Sequence, residues 1–218
     1  MIIGGIDEAG RGPAIGPMVM SLVIMDEEDV CGLVSMGARD SKAMTPKLRR
    51  RVYSFILERC LELLVRVVSP EEIDNAVMGR GLANLNELEA YVAAEMISMA
   101  KGLGRTGKIY MDSPDPKPER YLSAVKRFLE VKGVSLRSTL VAENHAELKF
   151  PVVALASIVS KVVRDDIVEK LRKEYGDFGS GYPSDPKTRE FIREWLSKRG
   201  EPPPIARKSW RSWRVIPS

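Results

Sequence analysis

Asp7 and Glu8 stand side by side and lead into Gly10-Arg11-Gly12, a guanidinium between two glycines. A third acid, Asp112, closes the apolar run Lys108–Met111 far downstream. Both places read as strand ends, and neighbouring strands of a sheet lie about 4.8 Å apart. If these two strands are neighbours, Asp7 and Asp112 converge within a few ångströms. Carboxylates that close do not all stay ionised unless a cation sits among them. Oxygen donors of this kind suit a hard divalent ion, Mg2+ or Mn2+. The Gly-Arg-Gly turn suits an anion held between backbone amides, Arg11 and a metal. A plainer reading stands beside this one, because Asp after a strand caps local backbone groups, and Asp112-Ser113-Pro114-Asp115-Pro116 is also turn chemistry. Spacing alone leaves both open.

The elements that must position these acids follow from apolar patterning and punctuation. Ile2–Ile6 and Pro17–Met25 are apolar runs joined by a Gly/Pro-rich turn, which predicts paired strands. Thr45-Pro46 and Ser69-Pro70 are N-cap and proline signatures, the first opening a helix to about Leu61. Leu63–Val68 predicts a third strand, and Asn84 to Lys101 a helix with Leu85, Leu88, Val92 and Met96 in register. The strand at Lys108–Met111 is followed by a helix over Pro118–Val131 and a strand over Leu136–Ala142. Pro151 to about Tyr175 predicts a long helix stopped by Gly176 and Gly179. Ser184-Asp185-Pro186 caps a last helix through Lys198. Three strands followed by alternating helix and strand predict an α/β fold with a mixed sheet.

Composition narrows the chemistry. The 218 residues carry 34 basic and 30 acidic groups, a net charge of +4 and a pI near 9.0, which permits a polyanionic partner without requiring one. Two cysteines, Cys31 and Cys60, exclude a disulfide-rich scaffold and a four-cysteine zinc site, and the single His145 excludes a multi-histidine centre. His145 reads as structural or exposed, and both cysteines as inert thiols. Asp7, Glu8 and Arg11 interrupt any signal-peptide pattern, and no apolar run approaches a bilayer span, so a cytoplasmic protein without a membrane partner is expected. The absence of glutamine, only four asparagines and 29% charged residues lean toward a thermophile, while ten methionines lean the other way.

The run Ile6-Asp7-Glu8-Ala9-Gly10-Arg11-Gly12-Pro13, followed by Ile15-Gly16-Pro17-Met18-Val19, resembles the opening motif of ribonuclease HII in its archaeal form. The resemblance continues at Arg39-Asp40-Ser41-Lys42, Leu85-Asn86-Glu87 and Ile109-Tyr110-Met111-Asp112. It runs on through Phe150-Pro151-Val152-Val153, Ala156 to Asp165, and Gly179-Ser180-Gly181-Tyr182-Pro183-Ser184-Asp185-Pro186. It reaches Pro203-Pro204-Ile205-Ala206-Arg207-Lys208-Ser209-Trp210, so matches in one order cover nearly the whole chain. The resemblance implies an RNase H-like core, expected over residues 1–175, with a mixed five-stranded sheet flanked by helices. A helical, basic, substrate-binding part is expected over 176–218. It implies an endonuclease that cleaves the RNA strand of RNA–DNA hybrids and nicks duplex DNA 5′ of an embedded ribonucleotide. The ends it leaves would be 5′-phosphate and 3′-hydroxyl, and two cations, Mg2+ or Mn2+, would serve. A monomer is expected.

Asp7, Glu8 and Asp112 match three of the family's four metal-binding carboxylates. At the fourth position the sequence departs from the usual Asp: counting back from Phe150-Pro151 reaches Glu147, with Glu143 as a rival if the loop is offset. By the same resemblance, Gly10, Arg11 and Gly12 contact the ribonucleotide through backbone groups that sense a 2′-OH. Tyr182 packs on the following deoxyribose, and Lys42 meets a phosphate. From Lys187 to Arg214 there are nine basic residues against three acidic ones. Arg207 and Lys208, with Trp210 and Trp213 between neighbouring charges, are candidates for a duplex-backbone clamp; at least one tryptophan is expected to pack the tail onto the core. Asp165 and Asp166 read as helix-surface or helix-packing acids. Two rivals stand beside this reading: a related nuclease acting on DNA junctions, and a catalytically silent hybrid-binding module. Some archaeal relatives end in a Gln- and Phe-containing tail that docks on a sliding clamp. With no glutamine here, clamp binding of that kind is unsupported.

Overall fold

β1 (Ile2–Ala9) lies at the centre of a sheet, antiparallel to β2 (Met18–Asp26) on one side and parallel to β4 (Lys108–Asp112) on the other. β3 (Glu62–Val68) adds antiparallel to β2, and β5 (Thr139–Glu143) adds parallel to β4. The five strands run in the order β3-β2-β1-β4-β5. The structure, a computed structural model, describes residues 1–35 and 44–214.

Both faces of this sheet are covered, which is why β2 reads as an almost unbroken apolar run rather than an alternating one. On one face α4 (Leu85–Met99) and α5 (Pro118–Val131) pack over Ile6, Leu22, Ile24 and Ile109. On the other, α7 (Pro151–Tyr175) packs over Ile3, Val23 and Met25, flanked by α1 (Glu27–Ser35) and α2 (Pro46–Arg59). Gly5 sets the contact between α7 and β1: a side chain there would put Cβ 2.3 Å from the carbonyl oxygen of Val152. Only glycine lets the helix backbone sit this close to the strand.

Helix starts follow the sequence signals. Thr45 accepts from the Leu48 amide, Ser69 forms a reciprocal capping box with Glu72 at the start of α3 (Pro70–Val77), and Asp185 accepts from Lys187 at the start of α8 (Pro186–Arg199). Several elements differ from the sequence-based expectation. β1 runs on through Asp7, Glu8 and Ala9, so the acids belong to the strand itself. β5 begins at Thr139 rather than Leu136. α1, with Glu27, Glu28 and Asp29 in its first turn, and the one-turn α6 (Ala146–Lys149) were not anticipated.

A third apolar cluster joins the end of α7 and α8 to the last described residues. Phe178, Ile192, Ile205 and Trp213 pack there against Ala14 and Ile15, and Ile15 bridges Ala206. The C-terminal segment therefore closes on the turn between β1 and β2. No helix among the described residues is long and apolar enough to cross a membrane.

Candidate active site

The chain leaves β1 toward β2 and β3, and leaves β4 toward β5 on the opposite side. Such a switch point opens a crevice at the carboxyl ends of the two parallel strands. Asp7, Glu8 and Asp112 lie at those ends. The pleat sends Asp7 toward α7 and Glu8 toward α4, so the two acids straddle the end of β1. Each of the three presents a carboxylate oxygen, and these atoms all lie within 4.8 Å of one another.

This clustering is expensive without a cation. Burial, then the neighbouring charges of Glu8 and Asp112, raises the Asp7 carboxyl well above its usual range, although hydrogen bonds from Ser157 and the Glu8 amide oppose the shift. Burial also raises Glu8. Asp112 is pushed up to about 6, again chiefly by burial, even though it accepts a 2.7 Å hydrogen bond from the Ala146 amide. That bond ties Asp112 to the start of α6, which carries Glu147 to the same cleft. His145, at φ 54°, makes the left-handed corner that lets α6 begin there. Three or more oxygen donors in a half-buried cleft fit a hard divalent cation.

The Gly10–Gly12 turn forms the adjoining wall. Gly10 has φ +82°, and a side chain on it would meet the Arg164 Nε at 2.1 Å, so glycine is required on both counts. Arg11 reaches across to α4, where its Nε donates to Glu89 at 2.7 Å and its Nη2 donates to Asn86 at 2.6 Å. Glu89 is buried, and its carboxyl is pushed up to about 8 by burial and by the charge of Glu8, against the opposing pull of Arg11. Tyr182 lies beside Gly12, with the Arg164 guanidinium 5.8 Å from its ring centre and 40% of its surface exposed. The cleft encloses about 460 Å³, and Arg49, Ser157, Lys161, Arg164 and Asp165 complete its lining.

The family model described as "Ribonuclease HII" matches residues 4–213. The chain belongs to the ribonuclease HII family. It is thereby a metal-dependent enzyme, an endonuclease of the ribonuclease H class. The ribonuclease HII of Thermofilum pendens is 50% identical over 214 residues, covering 98% of both chains. That of Pyrococcus furiosus is 44% identical over 217 residues, covering 99% of this chain and 91% of its own. The crystal structure of ribonuclease H2 from Pyrococcus horikoshii superposes with a TM-score of 0.86 at 39% identity, covering 99% of this chain and 97% of that one. The ribonuclease HII in the PCNA:RNase HII complex from Archaeoglobus fulgidus gives 0.82 at 36%, covering 97% and 96%.

Within this family member the residues singled out from sequence fall into three groups. Asp7, Glu8, Gly10, Arg11, Gly12, Asp112, Glu147 and Tyr182 share one cleft. Glu143 does not line it; its carboxylate pairs with Lys149 at the end of α6. Lys42 lies outside the described residues. Lys208 is exposed beyond the cleft, its amide held by Asp74 at 2.8 Å. Arg207 requires a correction. It is fully buried and its guanidinium is taken up by backbone carbonyls, so it offers no surface to a phosphate. A charge count along the tail cannot separate a buried arginine from a solvated one.

Trp213, buried, and Trp210, partly buried, both pack the tail onto the core. Asp165 and Asp166 pair with Arg49 and Arg50, and Asp165 also reaches the cleft edge. Sequence reasoning missed Glu89 and Arg49, and did not assign Ser157, Lys161 and Arg164 to the cleft. A signal existed for the last three: positions 157, 161, 164 and 165 form one polar stripe along the otherwise mostly apolar first part of the helix, residues 151–165.

Proposed function

We propose that this enzyme cleaves the RNA strand of RNA–DNA hybrids and nicks DNA duplexes on the 5′ side of an embedded ribonucleotide, leaving 5′-phosphate and 3′-hydroxyl ends. The observation that carries the reading is the convergence of Asp7, Glu8 and Asp112 within 4.8 Å, beside the Gly10–Gly12 turn that lines the same cleft. Asp7, Glu8, Asp112 and Glu147 would hold the cations, and Mg2+ or Mn2+ bound there supplies Lewis-acid activation of water and charge stabilisation at the leaving oxygen. The protein's own residues then bind and orient. Arg164 and Lys161 flank the carboxylates from α7 and offset the negative charge of a phosphodiester. Arg11, tied to Glu89 and Asn86, cannot swing freely, so the Gly10–Gly12 backbone keeps one shape when a ribose approaches. Tyr182 offers an apolar ring at the mouth of the cleft for the adjoining sugar. Lys42 remains a candidate phosphate contact, and Lys208 a contact to the duplex beyond the cleft. The protein is expected to act as a monomer in the cytoplasm, at elevated temperature.

Incubation of an end-labelled DNA–RNA–DNA/DNA duplex carrying one ribonucleotide, with Mg2+ or Mn2+, tests the reading. A single nick on the 5′ side of the ribonucleotide is the expected product, with none in the all-deoxy control. Binding without cleavage in either metal would overturn it, as would equal cleavage of the all-deoxy duplex.

A further inference from the structure

Arg207 lies nearly two hundred residues from Gly10, yet its guanidinium sits directly behind the Gly10–Gly12 turn. Its Nε donates to the Gly16 carbonyl at 3.0 Å, its Nη1 to the Arg11 carbonyl at 2.7 Å, and its Nη2 to the Gly10 carbonyl. Trp210, whose ring centre lies 5.1 Å from that guanidinium, donates from Nε1 to the Gly12 carbonyl at 3.1 Å. All three carbonyls of the turn are thus held by side chains from the C-terminal segment. A trans peptide carries its N–H opposite its C=O. Fixing the Gly10 and Arg11 carbonyls on Arg207 therefore aims the N–H groups of Arg11 and Gly12 away from it, toward the cleft that the turn lines. Taking a guanidinium out of water is costly unless its donors find partners. Here its three side-chain hydrogen bonds all go to backbone carbonyls, which only a planar fork of donors can serve together.

We propose that Arg207, with Trp210, is a positioning residue for the ribonucleotide-contacting turn, so that the set of the turn's amides is dictated from the C-terminal segment by a side chain that never touches substrate. This rests on the reading that the Gly10–Gly12 backbone meets the ribonucleotide, and three variants separate the two claims. Arg207→Lys keeps the charge and loses the fork. Its kcat on a single-ribonucleotide duplex should fall about tenfold or more, as misplacement of a contacting group does. KM and the affinity for plain DNA duplex should stay within about threefold, since no phosphate contact is removed. A staple that merely secured the tail would lower Tm and leave kcat intact in assays well below Tm. Trp210→Phe removes one donor and keeps the ring, and should lower kcat in the same direction by a smaller factor. Gly12→Ala tests the underlying reading, because its Cβ would sit 3.4 Å from Tyr182 and fits the fold. Unchanged ribonucleotide preference in Gly12→Ala would overturn that reading and the proposal with it. A loss in Gly12→Ala with wild-type kcat in folded Arg207→Lys would overturn the positioning role alone. If Arg207→Lys does not fold, wild-type kcat in Trp210→Phe overturns it.

Discussion

At the scale of single residues, the cleft crowds Asp7, Glu8 and Asp112 so closely that burial and mutual repulsion raise their carboxyls. Asp112 titrates near 6 in the folded chain, and Asp7 is raised as well. Unfolded, an Asp titrates near 3.9, so between about pH 4 and 6 the folded state binds more protons than the unfolded one. Metal-free stability should therefore fall as pH rises through that window. Melting curves in EDTA should show this decline, and Asp112→Asn should flatten it. Mg2+ or Mn2+ added at neutral pH should raise Tm in wild type, because the ion binds only the folded cluster. Asp7→Asn or Asp112→Asn should cut turnover by about 10³-fold, as each removes a charge from a site built on electrostatic stabilisation. Turnover within tenfold of wild type would refute the metal assignment. Glu147→Gln should lose activity that high Mn2+ partly restores, whereas Glu143→Gln should do little, since Glu143 pairs with Lys149 outside the cleft. Asp7, Glu8 and Asp112 were legible in the sequence because they follow directly on short apolar runs. Glu89 was not, because an acid inside a helix reads as surface until the helix is known to be covered.

At the scale of elements, the site depends on how closely α7 lies on β1. Gly5→Ala would drive Cβ into the backbone of Val152, which has no rotamer to yield, and should cost about 3 kcal/mol or more. Gly4→Ala meets side chains alone, Ile109 at 3.2 Å and Leu22 at 3.5 Å, which can adjust, and should cost less. Urea unfolding of the two variants compares them directly, and equal losses would mean that α7 can lift. The strands and long helices were readable because Pro, Gly and Ser/Thr/Asp punctuate them. α6 was not. Its single turn exists because Asp112 accepts from the Ala146 amide and His145 turns the chain, both consequences of tertiary placement. The polar stripe of α7 lay in plain view at helical spacing, but only the neighbouring β1 tells which way it faces.

At the scale of the whole molecule, the mixed sheet and its two helical layers were foreseeable from the order of elements, and the positive C-terminal end from a charge count. Which of those charges meet solvent was not, because burial of Arg207 depends on a turn at the opposite end of the sequence. Lys208 and Arg211 are exposed. Lys208→Ala with Arg211→Ala should weaken binding to hybrid and to plain duplex alike, and lower the slope of log K against log salt by up to about 2. An unchanged slope would make this end a solvated face. The bond from Arg207 to Gly10 also carries a consequence in time. A ribosome delivers the Gly10–Gly12 turn nearly two hundred residues before Arg207, so a domain that folds as a unit closes that turn only after the arginine has emerged. A nascent chain thus carries Asp7, Glu8, Asp112 and Glu147 well before its turn is clamped, and the finished cleft of this nuclease waits on the arrival of Arg207.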